Sequence, residues 1–357
     1  MSGWFTRLSN VFVQSFFIPA PPLTPENLGD QTGKACPKNP ITSYLKATFL
    51  TLAQVFIVTG GYSGVGFELT KALYAKNGVV YIAGRSVQKA ALAIADIEDE
   101  VPRSDGRLEF IKLDLGDLAT IKKSAEDFLK REQRLDVLVN NAGVMVPQQD
   151  GSTTEEGYEL QIGTNCLGPY LFTQLLLPIL QKTAAISAPN SVRVTWAASV
   201  AIDFAPEHGM AWNDKKKCPV NHANSSINYA QSKAGNLFLA SEFARRLGRD
   251  TGIVSVAYNP GNLRTELYRH ANVVAAFLFQ ILLYPAKLGA CTELFAGWSP
   301  SIGQHNSGCL VVPWGRVFEP RQGLQQAIRL NYEGGYGLAE RFWDWCDRET
   351  KRWMQFE

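Results

Sequence analysis

From Val55 onward, short apolar runs alternate with longer stretches whose apolar positions recur at helical spacing. VFIVTG (Val55–Gly60) reads as a strand, and Gly64–Lys76 as a helix. VVYIAG (Val79–Gly84) reads as a second strand, followed by helix Ser86–Glu98. LEFIKLD (Leu108–Asp114) and helix Leu118–Arg131 come next, then LDVLVNN (Leu135–Asn141). A long helical pattern covers Tyr158–Leu180, ahead of strand SVRVTWA (Ser191–Ala197). Helix Tyr229–Gly248 and strand IVSVAYN (Ile253–Asn259) follow, with CLVVPW (Cys309–Trp314) as a candidate last strand. Strands that are apolar almost throughout, alternating with helices, imply a parallel sheet covered on both faces. The expected fold is α/β: one doubly wound, Rossmann-type sheet of about seven strands.

The N-terminus follows another pattern. Trp4, Leu8, Val11, Phe12 and Ser15 fall at helical spacing, so Met1–Ala20 can form a short amphipathic helix. Packing on the domain surface is one reading. A weak membrane-surface anchor is the other, with only Arg7 as local positive charge. Pro19, Pro21, Pro22 and Pro25 make the following stretch, up to Lys34, a connecting arm. No run reaches the roughly 18 apolar residues of a membrane span.

Composition narrows the function. With 35 basic and 33 acidic residues the net charge is +2, and no basic run stands out. Nucleic-acid binding therefore has no electrostatic support. Cys36, Cys166, Cys218, Cys291, Cys309 and Cys346 lack metal-ligand spacing, so no metal is expected. Scattered cysteines suit a reducing, cytoplasmic setting. His208, His222 and Asp203 form no triad pattern.

The first strand runs into Thr59-Gly60-Gly61-Tyr62-Ser63-Gly64-Val65-Gly66, with a helix at once behind it. Glycines there allow a tight turn and close backbone approach to a pyrophosphate, which the free N–H groups of the helix start attract. The spacing T-G-x-x-x-G-x-G resembles the short-chain dehydrogenase/reductase family, over roughly Val55–Trp314. Asn140-Asn141-Ala142-Gly143 after strand four is similar to the family's N-N-A-G, and Tyr229-Ala230-Gln231-Ser232-Lys233 to its Y-x-x-x-K.

The resemblance implies a nicotinamide cofactor and assigns roles. Gly60, Ser63, Gly64, Val65 and Gly66 would hold phosphate. Asp114 and Leu115 would meet the adenine, with Asn141, Ala142 and Gly143 beside them. Pro260, Gly261, Leu263 and Thr265 would hold the carboxamide. Tyr229 would exchange the proton, and Lys233 would bind the ribose. Ser199 would hold the substrate oxygen, and Asn165 would anchor a water in the proton relay. Free tyrosine titrates near pH ~10, and a lysine four residues on, on the same helix face, favours its ionised form. The second strand ends in Gly84-Arg85-Ser86, with Lys89 a turn later and no carboxylate. Arg85 offers a planar fork for a 2′-phosphate, so NADP(H) is expected over NAD(H).

Substrate specificity is expected in Asp203–Asn228 and Leu263–Ala286. Ala275–Tyr284 carries no charge. It could be a lid over an apolar substrate, a membrane or subunit contact, or core. Tyr284–Ala290 and Glu293–Trp298 resemble fungal retinol-dehydrogenase-like reductases, which implies a small lipophilic carbonyl or alcohol substrate; a homo-oligomer and a role in secondary metabolism are separate expectations. A non-catalytic NADP(H)-sensing protein is the rival reading on the same fold.

The domain plan is an arm (1–34), an insertion (35–54) and the family domain (55–357). In the family a Thr-Gly-Lys arm runs straight into the first strand. Here Thr32-Gly33-Lys34 is separated from Val55 by Ala35–Gln54. The stretch is either a surface helix, with Ile41, Tyr44, Leu45, Phe49 and Leu52 on one face, or translated intron sequence.

Overall fold

The computed structural model describes residues 2–32, 53–146, 151–264 and 283–354. An eight-stranded sheet forms its centre, in the order β10-β9-β8-β5-β4-β1-β2-β3. Its strands are β1 (Val55–Thr59), β2 (Val79–Gly84), β3 (Arg107–Lys112), β4 (Val137–Asn140), β5 (Arg193–Ala197), β8 (Val254–Tyr258), β9 (Leu310–Val312) and β10 (Arg316–Phe318). β6 (Trp212–Asn213) and β7 (Cys218–Pro219) form a separate hairpin. All pairings in the main sheet are parallel except β9 with β10. β10 is the strand beyond the seven expected, a three-residue edge strand reached through a tight turn at Gly315.

β1, β4, β5 and β8 are buried along their whole length, because helices cover both faces. The helices are α2 (Gly64–Tyr74), α3 (Val87–Glu100), α4 (Leu118–Leu129), α5 (Gly168–Ile186), α6 (Ser225–Phe243), α7 (Ala286–Trp298), α8 (Gln322–Ile328) and α9 (Leu338–Thr350). A short helical turn, Leu160–Ile162, and a π turn, Gly163–Leu167, lead into α5. The strand order reverses at β1, which lies between β2 and β4. Crevices at such reversals, outside the carboxyl ends of the strands, are where open α/β sheets bind ligands.

Helix α1 (Ser2–Ser15) forms as expected and packs on the domain, but with its polar side inward. Arg7 pairs with Glu207, Asn10 and Gln14 bond Asp203, and the Ser15 hydroxyl accepts from Asn262. The surface it meets is polar, and a buried amide left unpartnered would cost about 1–3 kcal/mol. The phenyl rings point outward instead: Phe5 is 70% exposed, Phe12 52% and Phe17 92%.

Nearly all of the 35–54 insertion and most of the Ala275–Tyr284 run lie outside the described residues. Among the described residues, no helix is long and apolar enough to cross a membrane.

Candidate active site

β1 delivers the chain into a turn whose Gly60 and Gly64 have φ of +68° and +56°, a region that favours glycine. Ser63 caps α2 with extended backbone, yet its side chain makes no capping bond. Val65 is buried. A Cβ on Gly66 would stand 2.6 Å from Asn141 Nδ2 and 2.7 Å from Gly60 O, so the first turn of α2 lies hard against the loop. Asn141 Nδ2 donates to Thr59 O at 2.8 Å, and Ala142 N donates to Thr59 Oγ1 at 2.9 Å. Thr59 thus clamps the loop after β4 to the loop after β1.

Around this cradle stand the other expected residues. Asp114 Oδ1 accepts from Gly116 N at 2.9 Å, and Leu115 is buried. Arg85 and Lys89 are exposed beyond the end of β2, where Ser86 Oγ caps α3 by accepting from Lys89 N. The Tyr62 ring lies across Gly84, within 2.3 Å of where a Cβ would be. Pro260 and Gly261 follow β8, Gly261 with φ +99° against the Trp314 ring. Leu263 is buried against Gly289, so its side chain faces the core and only its main chain can meet a ligand. Thr265 lies outside the described residues.

The expected catalytic groups gather at the end of β5. Tyr229 and Lys233 share a face of α6, with Lys233 Nζ 5.7 Å from the Tyr229 ring centre. Lys233 Nζ donates to Ala197 O at 2.9 Å, and burial pushes its pKa down to about 8. Asn165 is fully buried in the π turn. Its Oδ1 accepts from Val144 N at 2.7 Å, and its Nδ2 donates to Val144 O and to Ser232 Oγ. A Cβ on Gly143 would lie 3.0 Å from Asn165 Oδ1 and 3.1 Å from Lys233 Nζ, so glycine lets these groups converge. Ser199, two residues past β5, caps the 3₁₀ turn Val200–Phe204, its Oγ accepting from Ala201 N at 3.2 Å. That bond leaves the hydroxyl proton to be donated elsewhere.

The model of the short chain dehydrogenase family matches residues 54–192. A short-chain dehydrogenase/reductase of Phomopsis amygdali is 42% identical over 359 residues, covering 99% of this chain and all of that protein. The chain belongs to the short-chain dehydrogenase/reductase family. Another such protein, from Neocamarosporium betae, is 39% identical, covering 97% of this chain and 94% of its own. Among solved structures, a Mycobacterium paratuberculosis protein superposes with a TM-score of 0.59 at 25% identity, covering 92% of this chain and 97% of that one. An NADPH-bound carbonyl reductase from chicken fatty liver shares the fold, with a TM-score of 0.54 at 21% identity, covering 75% and 99%.

In this short-chain dehydrogenase/reductase, two site residues escape a reading by motif, and Thr59, which opens the glycine motif, takes a role that its spacing does not give. Thr59 joins the two loops. Ser232 links Asn165 to Tyr229, its Oγ donating to the Tyr229 carbonyl at 2.8 Å. Asn236 Nδ2 donates to the same Ala197 carbonyl as Lys233, at 2.8 Å. Only the placement of Ser232 and Asn236 beside Lys233 on one helix could have flagged them. A cavity of about 290 Å³ is lined by Val146, Ser152, Glu159, His222 and Asn228 among others, at the start of α6. Much of that lining comes from the expected specificity segment Asp203–Asn228.

Proposed function

We propose that the chain is an NADP(H)-dependent oxidoreductase that interconverts the carbonyl and alcohol forms of a lipophilic substrate. The observation that carries this reading is the convergence of Asn165, Ser232 and Lys233 beneath Tyr229, at the strand end that presents Ser199. The residues present fit a dinucleotide. Two glycines with positive φ, the tight Gly66 contact and an uncommitted Ser63 side chain leave a cradle at a helix start. Exposed Arg85 and Lys89 suit a 2′-phosphate.

Bound nicotinamide supplies or accepts the hydride. In reduction, Tyr229 gives its phenolic proton to the substrate oxygen, and Ser199 donates a hydrogen bond to that oxygen as negative charge develops. Lys233, held by Ala197, keeps its charge beside the phenol. Asn165 fixes Val144 and Ser232, so the wall on the other side of Lys233 cannot drift. The cavity's polar lining, with His222 and Asn228, offers hydrogen-bonding groups to oxygen substituents on such a substrate. A cytoplasmic setting belongs to the same proposal, in keeping with free thiols at Cys166, Cys218 and Cys291.

The test is NADPH consumption, followed by absorbance, across aldehydes, ketones and polyketide-like carbonyls. Tyr229→Phe should lose at least 100-fold in turnover and still bind NADPH. Near-parent turnover in that variant would overturn the assignment. Binding of NADPH without turnover on any carbonyl would favour the sensing protein.

A further inference from the structure

Gln14 of α1 lies far outside the residues matched by the family model, yet it is 1% exposed and reaches both sides of the site. Its Nε2 donates to Asp203 Oδ2 at 3.2 Å, and its Oε1 accepts from Asn259 Nδ2 at 2.9 Å. Asn259 Oδ1 in turn accepts from Gly261 N at 3.0 Å. Asp203 sits in the 3₁₀ turn that Ser199 caps. Asn259 directly precedes Pro260-Gly261. One amide therefore ties the turn carrying Ser199 to the loop carrying Gly261.

The direction of the chain is fixed by chemistry. An ionised Asp203 can only accept, and Asn259 has already used its oxygen on Gly261. Gln14 must then donate at one end and accept at the other. Every N–H from Gly261 onward points toward the carboxylate, so each bond polarises the next. We propose that Gln14 is a positioning residue, which sets the separation of the Ser199 hydroxyl from the nicotinamide-facing loop. The inference rests on the active-site reading above and adds to it a residue of the N-terminal arm.

The test uses the full chain and two variants. Gln14→Leu keeps the bulk and loses both bonds. Hydrogen exchange in peptides covering 199–204 and 259–264 should quicken at least tenfold, with a β2 peptide unchanged. With the best carbonyl of the NADPH screen, kcat should fall at least tenfold and KM change less than threefold. Gln14→Glu supplies a readout that simple support would not move. Protonated, a glutamic acid donates to Asp203 and accepts from Asn259 as glutamine does; ionised, it cannot donate and repels Asp203. Arg7 and Arg321 also face Asp203, with Glu207 beside them, and all three are the same in parent and variant. The variant should therefore regain activity relative to the parent as pH falls. Leu8→Ser, on the exposed face of α1, should match the parent throughout. Parent-like exchange and kcat in Gln14→Leu, or a parent-like pH profile in Gln14→Glu, would overturn the proposal. If Tyr229→Phe retains turnover, the active-site reading fails. If it loses turnover while Gln14→Leu does not, only the inference about Gln14 fails.

Discussion

The buried ammonium of Lys233 donates to the carbonyl oxygen of Ala197 across 2.9 Å, so the charge beside Tyr229 is anchored to the last residue of β5. Burial holds that ammonium at a pKa of about 8, below the usual lysine range. The charged form prevails below that pH and is lost above it. Reductive kcat should be level on the acid side and decline as pH rises through about 8. Lys233→Met should remove the break and lower turnover by at least 100-fold, as steady-state profiles would show. A parent profile that stays level to pH ~10 would contradict the role of this charge.

Cofactor preference is predicted to depend on Arg85, with help from Lys89. Both are exposed beyond β2, where a 2′-phosphate can meet them. Arg85→Asp should lower the ratio of kcat/KM for NADPH to that for NADH by at least 100-fold. A parent that uses NADH as well as NADPH would show the charge argument to be wrong.

Tyr258 Oη donates to Glu293 Oε1 at 2.9 Å, with both side chains buried. Burial raises the Glu293 carboxyl from 4.5 to about 8, against the opposing effect of the Tyr258 hydrogen bond. The folded chain keeps this proton where the unfolded chain has lost it. Stability should therefore fall as pH rises from 4.5 to about 8, with a slope on the order of 1.4 kcal/mol per unit from this group. Glu293→Gln removes that slope. Its Tm, measured against the parent, should climb between those limits, and a constant difference would contradict the assignment.

Deletion of Ala35–Gln54 should leave a folded, active protein. The N–H of Gln54, the last residue of the stretch, donates to Gln31 O at 2.9 Å, so the arm lies beside the start of β1. Joining Lys34 to Val55 replaces that contact with a turn over residues 31–34. The truncated chain should match the parent in kcat/KM within threefold. Loss of soluble expression would show that the stretch carries part of the fold.

Much of this was legible in the sequence because β1, β4, β5 and β8 are buried on both faces and carry unbroken apolar runs. The glycine loop and the Tyr229–Lys233 pair stood out because their spacing is local. β10 did not, since three residues starting with Arg316 make no pattern. Which face of α1 turns inward was not legible, for a different reason. Periodicity shows that a helix has two faces, but the domain decides which one turns inward, and here it offers Asp203, Asn259 and Asn262. Asn236 gains its meaning only from the end of β5, 39 residues away in the chain, and Ser232 from Asn165 in the π turn, 67 residues away.

The outward rings of α1 bear on how the protein behaves in a tube. Phe12 lies 5.2 Å from Phe16 and 6.1 Å from Phe17, centre to centre, and together they form an oily shelf. A molecule of net charge +2 has little long-range repulsion to keep such shelves apart. Concentrated stocks should therefore scatter light more strongly as salt is added. Replacing Phe12 and Phe17 with serine should raise the solubility ceiling and leave the hydrogen bonds of Asn10 and Gln14 in place.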